Sequence, residues 1–92
     1  MAHAEEILRA VAALLREEGK EVFTRDQVRQ RLDLSREEWM AGYTAIFQGM
    51  RVDQPGGAPE VGPRFKGVFR RVAYGEYTLT DYGSQLVTEP ER

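Results

Sequence analysis

Two helix starts lie close together in the chain, and they constrain its fold more than any other feature. Thr24 is followed three residues later by Gln27, and Ser35 is followed at the same distance by Glu38. Each pair forms a capping box, in which side chains and backbone amides satisfy each other at the first turn of a helix. The spacing predicts a helix of about eight residues and one of about fifteen, joined by a tight turn at 33–34, as in a helix-turn-helix.

Apolar periodicity places another helix ahead of this unit. Residues 4–18 have an apolar stripe at helical spacing, and Gly19 can end the helix in a left-handed conformation. In the helix after Ser35 the predicted buried stripe consists of Trp39, Tyr43, Ile46, Phe47 and Met50. Its opposite face consists of Glu37, Ala41, Thr44 and Gln48, with Arg51 beyond them.

A β-hairpin is predicted in the second half of the chain. It follows a loop at 51–63, which three prolines and three glycines are expected to make flexible. Apolar and polar residues then alternate over 68–73 and over 76–80. Gly75 supplies the positive φ that the turn between these two strands needs.

Three further expectations concern the end of this unit. Phe69 and Val72 are both expected in the core although their parity is opposite, and a bulge near 70–71 would reconcile them. Thr80 is expected to cap a last short helical turn. Residues 88–92 are expected to form a frayed tail.

Three helices followed by a two-stranded hairpin resemble a winged helix-turn-helix domain. The stretch VFRRVAYGEYTLTDYG is similar to the wings of small modules found beside bacterial restriction enzymes and transcription factors. Those wings carry an aromatic residue, a basic residue and Val, followed by Gly, an aromatic residue, Leu and Thr. The resemblance covers residues 4–87 and implies one α+β winged-helix domain over 1–92, a three-helix bundle with a C-terminal wing. The matching positions are Phe69, Arg71, Val72, Gly75, Tyr77, Leu79 and Thr80.

In DNA-binding members of this fold, the third helix enters the major groove and the wing lies against the backbone. The resemblance therefore implies that Thr44, Gln48 and Arg51 face the groove. It also implies a transcriptional regulator or accessory factor for double-stranded DNA, with a homodimer through the apolar stripe of the first helix. The phosphate contacts expected from the wing and from helix 2 are Lys66, Arg70, Arg71, Arg25 and Arg29.

The same fold also serves in protein–protein interaction, and several residues favour that alternative. The formal net charge is −2, and Glu37 lies at the start of the third helix, where a carboxylate repels phosphate. Ala41, Gly42 and Ala45 would let another backbone approach closely. The cations Arg64, Lys66, Arg70 and Arg71 can equally be the solvated edge of a strand. The sequence leaves a DNA-binding protein and a protein-interaction module open.

The aromatic residues have two possible roles, as core or as stacking surfaces for bases. Their spacing matches the buried faces of the predicted elements, which favours the core. Tyr74 differs because it lies at the tip of the hairpin, where it either contacts a partner or packs within the loop. The aromatic residues expected in the core are Trp39, Tyr43, Phe47, Phe69 and Tyr77.

Motifs for catalysis are missing from the sequence. It contains no cysteine and one histidine, His3, and it has neither metal-ligand spacing nor a Gly-rich phosphate loop. We therefore expect no enzyme activity, metal, cofactor or small-molecule substrate. The sequence also has no apolar leader and no apolar run long enough to span a bilayer, which predicts a cytoplasmic protein.

Overall fold

The computed structural model describes residues 3–53 and 56–88. Within these residues four helices and a small three-stranded antiparallel sheet form an α+β structure, which confirms the predicted class. Of the expected frayed tail at 88–92, Thr88 is the last residue of a helix, and 89–92 lie outside the described residues. The elements are α1 (His3–Glu18), β1 (Val22–Phe23), α2 (Arg25–Arg31), α3 (36–49), β2 (Phe69–Ala73), β3 (Glu76–Leu79) and α4 (Asp81–Thr88).

Both predicted capping boxes are present. The Gln27 amide donates to Thr24 Oγ1 over 3.1 Å, and the Thr24 amide donates to Gln27 Oε1 over 2.9 Å. Ser35 and Glu38 repeat this exchange at 3.1 and 2.8 Å. Between them, Asp33 turns the chain with a φ of 60°. Because short polar side chains tolerate this left-handed region, α2 and α3 can be joined by a tight turn.

A π-helical turn interrupts α3, which was predicted as one regular α-helix. The α-helical segments Arg36–Glu38 and Thr44–Gly49 flank the π segment Trp39–Tyr43. The extra residue in a π turn offsets every position that follows it. Trp39, Phe47 and Met50 are buried as predicted, whereas Tyr43 and Ile46 are half-buried.

The sheet has the strand order β1-β3-β2, so the hairpin predicted from sequence gains a third strand. Val22 pairs with Thr78, and Phe69 pairs with Leu79. The register of the hairpin shifts between Arg71 and Ala73, which leaves Val72 outside the ladder. The prediction of Val72 in the core is therefore wrong. Its side chain is 41% exposed, because the bulge lies at Val72 itself and not at 70–71.

The segment after α3 runs along the outer edge of β2. The carbonyl oxygen of Met50 accepts hydrogen bonds from the amides of Gly67, Val68 and Phe69. The Val52 amide donates to the Phe69 carbonyl over 2.7 Å. The beginning of the predicted flexible loop is thus tied to the sheet. Residues 56–63 form turns and irregular structure, and 54–55 lie outside the described residues.

An aromatic cluster forms the centre of the core. Phe47 lies 5.0 Å from both Phe69 and Tyr77, and Phe23 lies 5.3 Å from Phe69, measured between ring centroids. These distances are typical of favourable ring pairs. Phe47 and Phe69 are fully buried, and Tyr77 is 3% exposed. The prediction that these aromatic residues belong to the core is confirmed.

The apolar stripe of α1 is buried in the same core. Ile7 and Val11 are fully buried, and Leu8 and Leu14 are 7% exposed. The outer face of α1 carries charged side chains such as Arg9, which pairs with Glu5. The apolar surface on which self-association through helix 1 was predicted is therefore covered within the monomer.

Candidate nucleic-acid interface

A groove of about 730 Å³ lies between α2, the first half of α3 and the turn of the hairpin. Three arginines and one carboxylate line it, so its charge is positive. The groove brings together one residue of the hairpin turn and three predicted contacts, two from α2 and one from α3. The lining residues are Thr24, Arg25, Asp26, Arg29, Arg36, Trp39, Met40, Thr44 and Gly75.

Strand pairing brings the hairpin turn to this groove. Phe23 of β1 pairs with Tyr77 of β3, which places the turn beside the start of α2. Gly75 adopts a φ of 74°, a conformation that glycine reaches without strain. Tyr74 is 92% exposed, with the Arg71 guanidinium 5.6 Å from its ring centroid. This exposure excludes packing of Tyr74 within the loop, which was one of its two predicted roles.

The wing cations point outward. Arg70 pairs with Thr78 on the sheet face opposite the buried Phe69 and Tyr77. Arg70 and Lys66 are exposed, and neither forms an ion pair with another described residue. Arg71 is exposed as well, and its Nε donates to the Ala73 carbonyl over 3.3 Å. Three of the predicted phosphate contacts are therefore accessible to a polyanion.

Arg51 lies inside the protein, contrary to the prediction that it faces a groove. Its guanidinium donates to Asp53 Oδ1 over 3.1 Å and to Gln48 Oε1 over 2.5 Å. It also lies 5.4 Å from the centroid of the Tyr77 ring. Arg51 is 8% exposed because the chain turns along β2 directly after α3 ends. Its charge is neutralised internally, and Gln48 shares that interaction.

Asp53 connects this arginine to the sheet edge. Its second carboxylate oxygen accepts from the Arg71 amide at 3.4 Å. Burial alone would raise the pKa of Asp53, but the hydrogen bonds from Arg51 and Arg71 outweigh it. The pKa of Asp53 is therefore below its usual value.

The two arginines predicted on α2 differ in their contacts. Arg29 donates from Nη1 to the Leu34 carbonyl over 2.9 Å, which fixes the turn before α3. Its Nε lies 3.6 Å from Asp26 Oδ1 and makes no hydrogen bond, and the side chain is 16% exposed. Arg25 is half-buried at the groove wall. Arg25 is thus better placed than Arg29 to reach a ligand.

Two residues of this surface were not predicted. Arg36 is exposed at the start of α3, and Met40 is 68% exposed one turn later. Thr44, which was predicted, is half-buried at the same wall of the groove. A four-residue spacing could have indicated this surface from the sequence, because residues four apart share one helix face. It relates Arg36, Met40 and Thr44.

Comparison with protein-family models, with curated proteins and with solved structures gives no match for this chain. Across the described ranges 3–53 and 56–88, no helix is long and apolar enough to cross a membrane. In the same ranges, no group of His, Cys, Asp and Glu side chains is arranged to hold a metal ion.

Proposed function

We propose that the protein is a winged-helix protein that binds double-stranded DNA, as a transcriptional regulator or accessory factor. The observation that carries this proposal is the shared groove. The hairpin turn at Gly75 and the arginines of α2 and α3 line one positively charged depression. The helix order, the hairpin after α3 and the pairing of β1 with β3 support the winged-helix assignment. In this arrangement α3 faces the major groove and the hairpin is the wing.

The groove is suited to one sugar–phosphate strand. Arg25 and Arg36 lie at its walls, and guanidinium groups bind phosphate oxygens in bidentate geometry. Arg70 and Arg71 are exposed on the wing, and Lys66 is exposed ahead of its first strand. Arg51 has no part in this surface, because its guanidinium is bound to Asp53.

Two acidic residues at the start of α3 determine how DNA would approach. The Glu38 side chain is occupied because it accepts from the Ser35 amide. Glu37 is exposed and would repel a phosphate at this helix end. We therefore place the phosphates at the guanidinium groups of the groove walls and on the wing rather than at the backbone amides that begin α3.

Fluorescence anisotropy with a labelled mixed-sequence duplex tests the proposal. Neutralising about three to four phosphates predicts a slope of about −3 to −4 in log K against log salt between about 50 and 200 mM. The double variant Arg70→Gln, Arg71→Gln should bind more weakly and with a shallower slope. A shallower slope is expected because each lost phosphate contact reduces counterion release.

Arg16→Gln is the matched control, because Arg16 is exposed near the end of α1, away from the groove. It removes one positive charge and should leave the slope unchanged. Absence of binding at tens of micromolar protein and low salt would contradict the proposal. If Arg16→Gln loses as much affinity as the double variant, binding results from general charge attraction and does not depend on the wing.

A protein-interaction module is the second candidate, and one observation favours it. Met40, Ala41 and Ala45 are exposed on the outer side of α3, where small side chains permit close approach of another backbone. If the duplex does not bind, sedimentation analysis over a range of concentrations tests a second copy as partner. An Ala41→Arg variant should then abolish any dimer formed through this face.

A further inference from the structure

The outward surface of α3 is less polar than that of an ordinary base-reading helix. Gln48 is half-buried, and its side-chain oxygen accepts from Arg51. Thr44 is half-buried as well. Between Glu38 and Thr44 the exposed residues are Met40 and Ala41. The centre of the surface that faces the major groove in the proposed function therefore carries methyl and thioether groups.

Met40 is the prominent side chain of this surface. It is 68% exposed, whereas Trp39 beside it is 5% exposed. It lies in the wall of the groove that Arg25 and Arg36 also line. Because most of its surface is exposed, the thioether chain of Met40 does not pack in the core of the monomer. It does gain apolar contact when a methyl group is brought against it.

Met40 lies within the π turn of α3. The Thr44 amide bonds to the Trp39 carbonyl across five residues, and Met40 lies inside that widened turn. After the turn, Gln48 is half-buried and its side-chain oxygen accepts from Arg51. π turns occur frequently at functional sites. Here the exposed residues within the turn are Met40 and Ala41.

The major groove offers one kind of apolar feature on a base edge. Thymine carries a C5-methyl group there, whereas the other edges of the unmodified bases present donors and acceptors. Cytosine gains the same chemical feature when it is methylated at C5. A thioether chain can pack against either methyl group but cannot form the bidentate hydrogen bonds that identify guanine or adenine.

We infer that Met40 is a specificity-determining residue that contacts C5-methyl groups of pyrimidines in the major groove. This inference depends on the proposed function, because it requires α3 to enter that groove. The cations Arg25, Arg36 and Arg70 provide affinity independent of sequence, and Met40 adds a preference for methylated pyrimidine edges. A residue with only a structural role in the monomer would leave this preference unchanged.

Duplexes of alternating sequence test the inference without knowledge of a binding site. Two alternating DNA duplexes of equal length, one of adenine and thymine and the other of adenine and deoxyuridine, differ in the C5-methyl groups alone. One buried methyl group corresponds to an affinity ratio of about fourfold in favour of thymine. Alternating guanine–cytosine duplexes with and without 5-methylcytosine form the second arm. A gain in both arms supports contact with the methyl group of either pyrimidine, and a gain for thymine alone identifies thymine as the source.

Variants separate the side chain from the shape of the DNA. Met40→Ala should reduce the thymine-to-uracil ratio to about one, and Met40→Leu should retain it, because Leu preserves apolar contact. Arg70→Gln should weaken both duplexes equally and keep the ratio. Since Met40 is exposed, its replacement should leave the fold intact.

Three outcomes would overturn the inference. A ratio near one in the wild-type protein, with both duplexes bound, contradicts it while the proposed DNA binding stands. A ratio that persists in Met40→Ala assigns the discrimination to DNA shape and not to this side chain. Absence of binding to all duplexes removes the proposed function, and this inference with it.

Discussion

The Nε of Arg51 donates to Asp53 Oδ1 over 3.1 Å, and this pair fastens the chain after α3 to the wing. Asp53 also accepts from the amide of Arg71 in β2. One carboxylate therefore connects the buried end of α3 with the strand that carries the exposed cations. This connection holds the wing against the helices by polar contacts at its outer edge.

The Asp53 carboxylate should make stability depend on acid pH. Its pKa is lower in the folded protein than the value of about 3.9 in an unfolded chain. The unfolded state therefore binds more protons in this range, and stability rises with pH. The contribution is complete above the unfolded pKa and is lost as the pH falls through the folded pKa.

Urea denaturation of the wild type and of Asp53→Asn measures this contribution. We expect a difference of about 1 kcal/mol in the free energy of unfolding at pH 7, because the carboxylate is half-exposed. The difference should shrink below about pH 4. Glu60→Gln is the control, because Glu60 is exposed and its replacement should change the free energy of unfolding by less than about 0.5 kcal/mol. A difference between wild type and Asp53→Asn that stays constant between pH 7 and pH 3 would contradict the assignment.

Replacement by Met should affect stability at Arg51 and duplex binding at Arg70. Arg51→Met removes the guanidinium that donates to Asp53 and Gln48 from a buried position, so it should cost about 1–3 kcal/mol in the free energy of unfolding. Arg70→Met removes an exposed cation and should change stability by less than about 0.5 kcal/mol while weakening duplex binding. Thermal denaturation and anisotropy on both variants check this. Equal stability losses would show that Arg70 also has a structural partner.

Gly83 should be intolerant of a side chain. A Cβ at this position in α4 would overlap the carbonyl oxygen of Val68. Gly83→Ala should therefore destabilise the protein by about 1–3 kcal/mol, because the overlapping atom belongs to the backbone and cannot rotate away. Urea denaturation measures the change.

Gly42→Ala is the matched control for Gly83→Ala. The nearest atom to a Cβ at position 42 is Cδ2 of His3 at 3.8 Å, an ordinary contact distance. Alanine is the better helix former, so we expect a gain of about 0.5–1 kcal/mol. If Gly83→Ala leaves the free energy of unfolding unchanged, α4 and the backbone of Val68 are not in close contact.

The Tyr43 hydroxyl should lose its proton at a higher pH than an ordinary tyrosine, because its pKa is raised. Its hydroxyl donates to Glu6 Oε1 over 2.7 Å, and this hydrogen bond, together with burial and the nearby carboxylates, raises its pKa. The difference in tyrosinate absorbance between the wild type and Tyr43→Phe should have a midpoint above about 10. Because the folded pKa is raised, the stability from this contact is present below about pH 10 and is lost as the pH rises through the folded pKa. In Glu6→Gln the midpoint should move back toward about 10, and a wild-type midpoint already at that value would contradict the account.

Local signals in the sequence were sufficient for the helix starts and for most of the core. The capping boxes at Thr24 and Ser35 involve residues three positions apart, so neither depends on the rest of the fold. The aromatic residues Phe47 and Phe69 were placed correctly because helical and strand periodicity identify a buried face. The α+β class follows from these elements.

Features that depend on tertiary contacts could not be predicted. The two-residue strand β1 exists only through its pairing with β3. The exposure of Val72 depends on where the bulge lies, and parity alone did not determine that position. The burial of Arg51 required Asp53 as its partner, in a segment that composition predicts to be flexible.

The candidate site was predicted in part for the same reason. The exposure of Arg70 and Arg71 agrees with their place on an edge strand. The π turn in α3 has no local signature in the residues Trp39–Tyr43, and it changes which side chains protrude. Met40 is exposed on this helix, whereas Gln48, which was predicted to face the groove, is half-buried and bound to Arg51.

Amide chemical shifts recorded during titration with a mixed-sequence duplex at about 50 mM salt test the central claim most directly. The account predicts that the largest changes occur around the groove and the wing, at Arg25, Arg36, Met40, Arg70 and Gly75. The amides of Arg9 and Arg16 on α1 should remain unchanged. Changes confined to α1, or no changes at saturating duplex, would contradict the claim that the groove between α2, α3 and the hairpin binds DNA.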